Sequence, residues 1–138
     1  TMGEMQPEQW DEVMAINATG AYNAMHAVLP GMRQRKSGMI INISSVAGKR
    51  AMKLGGIAYD ASKFAMTALG TAVGQEEAPN NIRVTNIQPG MAETNFSVVR
   101  LRGDRKKASA VYEGIEALTP EDIAEAICYA VFLPHTSN

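Results

Sequence analysis

Two short runs rich in β-branched residues, "MIINIS" (Met39 to Ser44) and "IRVTNI" (Ile82 to Ile87), bracket a stretch of helical periodicity from Ile57 to Glu77. Turn formers bound each run: Gly38 and Gly48 flank the first, and Pro89-Gly90 stops the second. This predicts two strands buried on both faces. Strand, helix and strand at this length form a βαβ unit, with parallel strands and a right-handed crossover. Such a pair does not stand alone, because each strand wants neighbours and both sheet faces need cover. The chain is therefore expected to be part of a larger doubly wound parallel α/β sheet.

The other elements fit around that unit. Pro7, Glu8, Asp11 and Glu12 suit the first turns of a helix, where a missing N–H is harmless and acids meet the positive dipole end. Trp10, Val13, Met14, Asn17, Ala21, Ala24, Met25 and Val28 then recur at helical spacing until Gly31 and "RQRKSG" close the element. The uncharged run Val13 to Met32 is long enough to span a bilayer, but Asn17, Gly20, Asn23, His26 and Pro30 interrupt it. It reads as a buried helix of a soluble protein. "KKASAVYEGI" reads as a polar-faced helix, and Thr119 caps a last helix running from Pro120 through Val131.

Composition narrows the class. A chain of 138 residues has room for one domain. A net charge of -1 gives no global pull toward nucleic acid or anionic membrane. The single Cys128 cannot form an internal disulfide, and "TMGEMQPEQW" is no signal peptide, which together predict a cytoplasmic setting. His26 and His135 have no ligand-spaced partners, so no metal is expected, and His26 reads as a helix-packing residue. The methionines, among them Met14, Met25, Met32 and Met66, read as packing.

In a doubly wound sheet, ligands bind beyond the carboxyl ends of the strands. Ser44-Ser45 and Gln88-Pro89-Gly90 fall on that rim. Tyr59 and Lys63, four residues apart, share one face of the intervening helix. A free phenol, with a pKa of about 10, is a poor acid or base near neutrality, and a neighbouring ammonium favours its ionised form. With a serine hydroxyl to hold a substrate oxygen, the set makes a proton-transfer site for an alcohol or carbonyl. Each feature also has an ordinary explanation. Tyr-x-x-x-Lys pairs are common on amphipathic helices, serines at strand ends form turns, and Asn17 can simply satisfy buried backbone. Their joint order and shared rim favour the chemical reading.

Over nearly its whole length the chain resembles the second half of a short-chain dehydrogenase/reductase, a Rossmann-type family of NAD(P)-dependent oxidoreductases. The matching stretches are "WDEVMAINATGAY", "GMIINISSVAG", "YDASKFAM", "NIRVTNIQPGMAET" and "LTPEDIAEAI". The resemblance implies a catalytic tetrad of Asn17, Ser45, Tyr59 and Lys63. Tyr59 would be the general acid/base, and Ser45 would orient the substrate oxygen. Lys63 would hold the nicotinamide ribose, and Asn17 would support a water linking Lys63 to solvent. Ser45 is chosen because it directly precedes "VAG". Its spacing to Tyr59 is one residue longer than in many members, and Ser44 stays as the alternative. Pro89, Gly90, Met91, Ala92 and Thr94 would face the nicotinamide, the last three through backbone or hydroxyl contacts to its carboxamide.

Residues 94–118 are similar to the branch that oxidises serine and other 3-hydroxy acids with NADP, where this segment is part of a substrate lid. Arg100 is then the candidate for a substrate carboxylate, since a guanidinium binds one bidentately. The alternative is a solvated basic helix face made by Arg100, Arg102, Arg105, Lys106 and Lys107. Without interleaved aromatics the segment does not suit nucleic acid. The resemblance also implies a homodimer or homotetramer.

The sequence departs from the family in one large respect. No Gly-x-x-x-Gly-x-Gly or Gly-x-Gly-x-x-Gly loop is present, so the chain is expected to lack the first βαβ half with its phosphate cradle, and it is expected to lack the family's last strand as well. Residues 1–138 are thus expected to be the catalytic portion of one Rossmann domain. The cofactor would be NADP, with NAD possible, and the substrate a small 3-hydroxy acid. A broader carbonyl or ketosteroid reductase is the alternative enzyme. The alternative of another class is a non-catalytic remnant acting as an interaction module. Exposed strand edges would mark a portion of a larger sheet, and covered edges a module.

Overall fold

The computed structural model describes residues 1–101 and 103–134, and of Arg100 and Ala108 the backbone only. A long helical element opens the chain: α1 (Pro7–Met14), a π-helical stretch (Ala15–Thr19) and α2 (Gly20–Arg35) run on without a break. Pro7 occupies the first turn, as expected from sequence, and Gln6 N–H donates to the Gln9 side chain at 3.0 Å. Lys36 ends α2 in the left-handed conformation, at φ 52°. Strand β1 (Gly38–Ile43) leads through a 3-10 turn (Val46–Gly48) to α3 (Ile57–Glu77), and β2 (Ile82–Ile87) comes next. The predicted strands and crossover helix stand where the sequence places them. Short helices α4 (Phe96–Arg100) and α5 (Arg105–Ala110) precede α6 (Pro120–Phe132). Thr119 caps α6, accepting from Asp122 N–H at 3.2 Å while its own N–H donates to the Asp122 carboxylate at 2.7 Å.

The two strands pair in parallel with Gly38 opposite Ile82 and Ile43 opposite Ile87. Among the described residues they pair only with each other, so each keeps an open edge. Helix α3 covers one face. Even-numbered strand residues meet it: Val84 packs at Gly74, and Asn42 and Asn86 bond to it. The end of α6 covers part of the other face, where buried Arg83 donates to the carbonyls of Leu133 and Pro134, both at 3.0 Å.

Three expectations need correction. The strands are mostly half-buried rather than buried on both faces, and Ile43 is 37% exposed. The carboxyl end of helix α6 meets this face at Arg83, while Ile43 at the other end of β1 stays exposed. The run Val13 to Met32 is not a buried helix: only Met25 is buried, while Ile16 is 67% exposed. A two-stranded sheet is too narrow to cover more than one stripe of it. His26 is not packed within the fold either. It lies exposed, stacked on Tyr22 with ring centroids 5.6 Å apart.

The sheet face under α3 carries a polar pair. Asn42 Nδ2 donates to Asn86 Oδ1 at 2.7 Å and to the Met66 carbonyl at 2.8 Å. Asn86 Nδ2 in turn donates to the Thr67 carbonyl at 3.1 Å. Gly70 makes room for this pair, since a Cβ there would collide with Asn86 Oδ1. Buried Asn42 and half-buried Asn86 are thus paired, which offsets the penalty a lone buried amide would carry.

Candidate active site

At the carboxyl ends of β1 and β2 lies a cavity of about 300 Å³. Asn17, Ser45, Tyr59 and Lys63 all line it, and so do Pro89, Gly90, Met91, Ala92 and Thr94. Four separate elements deliver them: the π-helical stretch, the turn after β1, the first turns of α3 and the loop after β2.

Lys63 is held at its tip, where Nζ donates to the Ile43 carbonyl at 3.2 Å. The ammonium lies 5.7 Å from the centroid of the Tyr59 ring, close enough for cation–π attraction. Burial pushes its pKa below the ordinary lysine value of 10.5. Tyr59 also packs against Phe96, with ring centroids 5.6 Å apart. Among the described residues, Lys63 and Tyr112 line the same cavity.

The two serines differ in what they bond. Ser44 Oγ is engaged with α3, at 3.0 Å from the Lys63 carbonyl and 2.7 Å from Thr67 Oγ1. Ser45 caps the 3-10 turn by accepting from Ala47 N–H at 3.1 Å, which leaves its own proton unspent on that bond. Both line the cavity.

Asn17 sits in the π-helical stretch, where the altered pitch interrupts the regular helical spacing. Its Nδ2 donates to Ser62 Oγ at 2.9 Å, and Ser62 donates to the Tyr59 carbonyl at 2.8 Å. Asn17 therefore pins the first turn of α3 from outside, a role the sequence left open between chemistry and backbone satisfaction.

The loop after β2 is tied to the segment between α5 and α6. Leu118 N–H donates to the Met91 carbonyl and Glu93 N–H to the Leu118 carbonyl, both at 2.8 Å. Tyr112 Oη donates to the Ala92 carbonyl at 2.9 Å and lies 2.7 Å from Ser97 Oγ. Val111 and Tyr112 thus leave the helix that "KKASAVYEGI" predicts: α5 ends at Ala110, and Tyr112 is drawn into the cavity wall. Sequence reading missed Tyr112, Phe96 and Met52 as lining residues, because no local motif marks them. The Arg100 side chain, Arg102 and His135 lie outside the described residues.

The sequence pattern of the short chain dehydrogenases matches residues 1–104, and the chain belongs to that family. A similar relative is the NADP-dependent 3-hydroxy acid dehydrogenase of Salmonella typhi, 41% identical over 132 residues, which are 95% of this chain and 53% of the relative. The Schizosaccharomyces pombe protein of the same description is 40% identical over 119 residues, 86% of this chain and 46% of that protein. Among solved structures, the closed form of serine dehydrogenase complexed with NADP+ superposes with a TM-score of 0.93 at 36% identity. That match covers 99% of this chain and 55% of the other. The chain spans about half the length of the relatives it matches.

Proposed function

We propose that the chain is the catalytic portion of an oxidoreductase that moves hydride between NADP and the secondary alcohol or ketone of a small 3-hydroxy acid. The observation that carries this reading is the convergence of Asn17, Ser45, Tyr59 and Lys63 on one cavity at the carboxyl end of a parallel sheet. The likeness to NADP-dependent relatives supports the cofactor and the substrate class.

The residues present fit the nicotinamide end of such a cofactor. A cavity of about 300 Å³ suits a ring and a small acid. Beside it, a Cβ on Gly90 would meet nothing within 4 Å among the described residues, which suits a flat group there. Lys63 spends one N–H on Ile43 and has others for ribose hydroxyls. The carbonyls of Met91 and Ala92 are taken by Leu118 and Tyr112, so a carboxamide would fall to N–H groups and to Thr94. Thr94 Oγ1 accepts from Phe96 N–H at 3.1 Å and keeps its proton to donate.

When bound, the nicotinamide supplies or accepts the hydride. Tyr59 Oη takes the substrate hydroxyl proton in oxidation and returns it in reduction. Ser45 holds the substrate oxygen, and Asn17 fixes the turn that carries Tyr59. Residues 94–118 act as the substrate lid, and Arg100 at the end of α4 takes the carboxylate. The open edges of both strands fit a portion of a larger sheet better than a self-contained module.

The test joins residues 1–138 to the dinucleotide-binding half of the Salmonella typhi relative and monitors NADP+ reduction with a panel of alcohols. Small 3-hydroxy acids should be oxidised in preference to secondary alcohols lacking a carboxylate. Equal turnover of steroid or simple alcohols would favour a broader carbonyl reductase instead.

A further inference from the structure

We infer that Ser44 and Thr67 form a two-hydroxyl clasp that positions Lys63, making both of them positioning residues for the site. The inference rests on the dehydrogenase reading only for its consequence in turnover. The clasp itself is a matter of geometry.

Three oxygens meet at one point of α3. Ser44 Oγ and Thr67 Oγ1 each lie 3.0 Å from the Lys63 carbonyl and 2.7 Å from one another. Within a helix the Lys63 carbonyl already accepts the N–H four residues on, which leaves one lone pair for a side chain. Two hydroxyl protons must therefore satisfy one open lone pair and one hydroxyl–hydroxyl contact. Either Ser44 donates to the carbonyl and Thr67 donates to Ser44, or the roles are exchanged. Both arrangements are complete, so each hydroxyl can replace the other at the carbonyl.

The clasp also joins the two strands to the helix. Ser44 comes directly after β1, and Gln88, directly after β2, donates from Nε2 to Thr67 Oγ1 at 3.2 Å. Lys63 Nζ reaches the Ile43 carbonyl, one residue before Ser44. Lys63 is thus held at its main-chain carbonyl and at its ammonium by adjacent residues of one strand end. Gly48 closes the top: a Cβ there would lie 2.5 Å from the Lys63 carbonyl, 2.5 Å from Thr67 Oγ1 and 2.6 Å from Ser44 Oγ. The absent side chain is what lets the three oxygens meet under cover, with Ser44 only 4% exposed.

The clasp predicts a specific non-additivity. Thr67→Val and Ser44→Ala each leave one hydroxyl to serve the carbonyl, so each alone should disturb Lys63 little. The double variant leaves none, and α3 should lift at Lys63, letting water reach the ammonium. The readout is the titration of Lys63 by NMR in the lysine-labelled joined enzyme, with Lys63→Arg as the assignment control. Among the described residues, the titratable side chains that line the cavity beside Lys63 are Tyr59 and Tyr112. The double variant should titrate higher than the parent, toward the ordinary lysine range, by more than the sum of the single shifts. Thr67→Ser should titrate like the parent. In the joined enzyme, the double variant should lose turnover by about a hundredfold with little change in KM. A folded double variant whose Lys63 titrates as in the parent overturns the clasp. If the double variant does not fold, the singles decide: a Lys63 that returns to the ordinary lysine range in Thr67→Val or in Ser44→Ala alone overturns it too, and one that stays near the parent in both supports it. Absence of turnover in the parent would count against the dehydrogenase reading and leave the Lys63 titration to judge the clasp.

Discussion

Replacing Gly48 by alanine is the smallest change that should reach the site from outside it. A Cβ at this position would lie 2.5 Å from a backbone carbonyl of α3 and from the Thr67 hydroxyl, whereas ordinary contact begins at 3.4 Å. Neither neighbour is the loose end of a long side chain, so the turn and the helix must separate by roughly 1 Å. Overpacking of this kind costs about 1–3 kcal/mol of stability. The functional cost should be larger in proportion, because the displaced residues belong to the turn that carries Tyr59 and Lys63. A misplacement of about 1 Å can lower turnover by about a hundredfold. The control is Gly20→Ala, where the nearest atom lies 3.6 Å from the new Cβ and a helical alanine should stabilise by about 0.5–1 kcal/mol. Thermal melting and NADP+ reduction by the joined enzyme measure the two effects. A Gly48→Ala protein with the parent's melting point and turnover would refute the packing argument.

The same contacts have other consequences. Glu77 is 1% exposed and its carboxylate takes Arg33 through two guanidinium nitrogens, with Asn80 at 3.0 Å. Arg33→Met should lower stability at neutral pH by stranding that carboxylate. The Arg33 hydrogen bonds, foremost, hold the Glu77 pKa below its ordinary 4.5. The pair's contribution is therefore complete above that value and is lost as pH falls through the lowered folded value. Urea unfolding of parent and variant should converge on acidification, and a constant difference down to the acid limit would contradict this. Tyr112→Phe should cost about 1–2 kcal/mol locally by releasing the Ala92 carbonyl and Ser97. Hydrogen exchange should quicken at Glu93 and Leu118 while α3 stays protected, and unchanged exchange at both amides would count against the tie.

How much of this is legible in the sequence depends on what kind of order carries it. Periodicity and turn residues place β1, α3 and β2, because Gly38, Pro89-Gly90 and the helical spacing from Ile57 act locally. Thr119 announces its helix for the same reason. Burial is not legible: the spacing of Trp10, Val13, Met25 and Val28 marks a face but not whether anything covers it. The polar seam under α3 escapes a sequence reading because Asn42 and Asn86 are 44 residues apart and bond across strands. Tyr59 and Lys63 can be placed on one face from spacing alone. That Ser44, Thr67 and Gly48 converge on the Lys63 carbonyl, or that Tyr112 leaves its helix for Ala92, needs the fold.

The central claim is that Tyr59 moves the substrate proton. Its most direct test is Tyr59→Phe in the joined enzyme, with 3-hydroxy acid oxidation and NADPH affinity measured on the same preparation. The account predicts that turnover disappears while NADPH binds nearly as before, since the ring and the Lys63 contacts remain. Turnover close to that of the parent would contradict it.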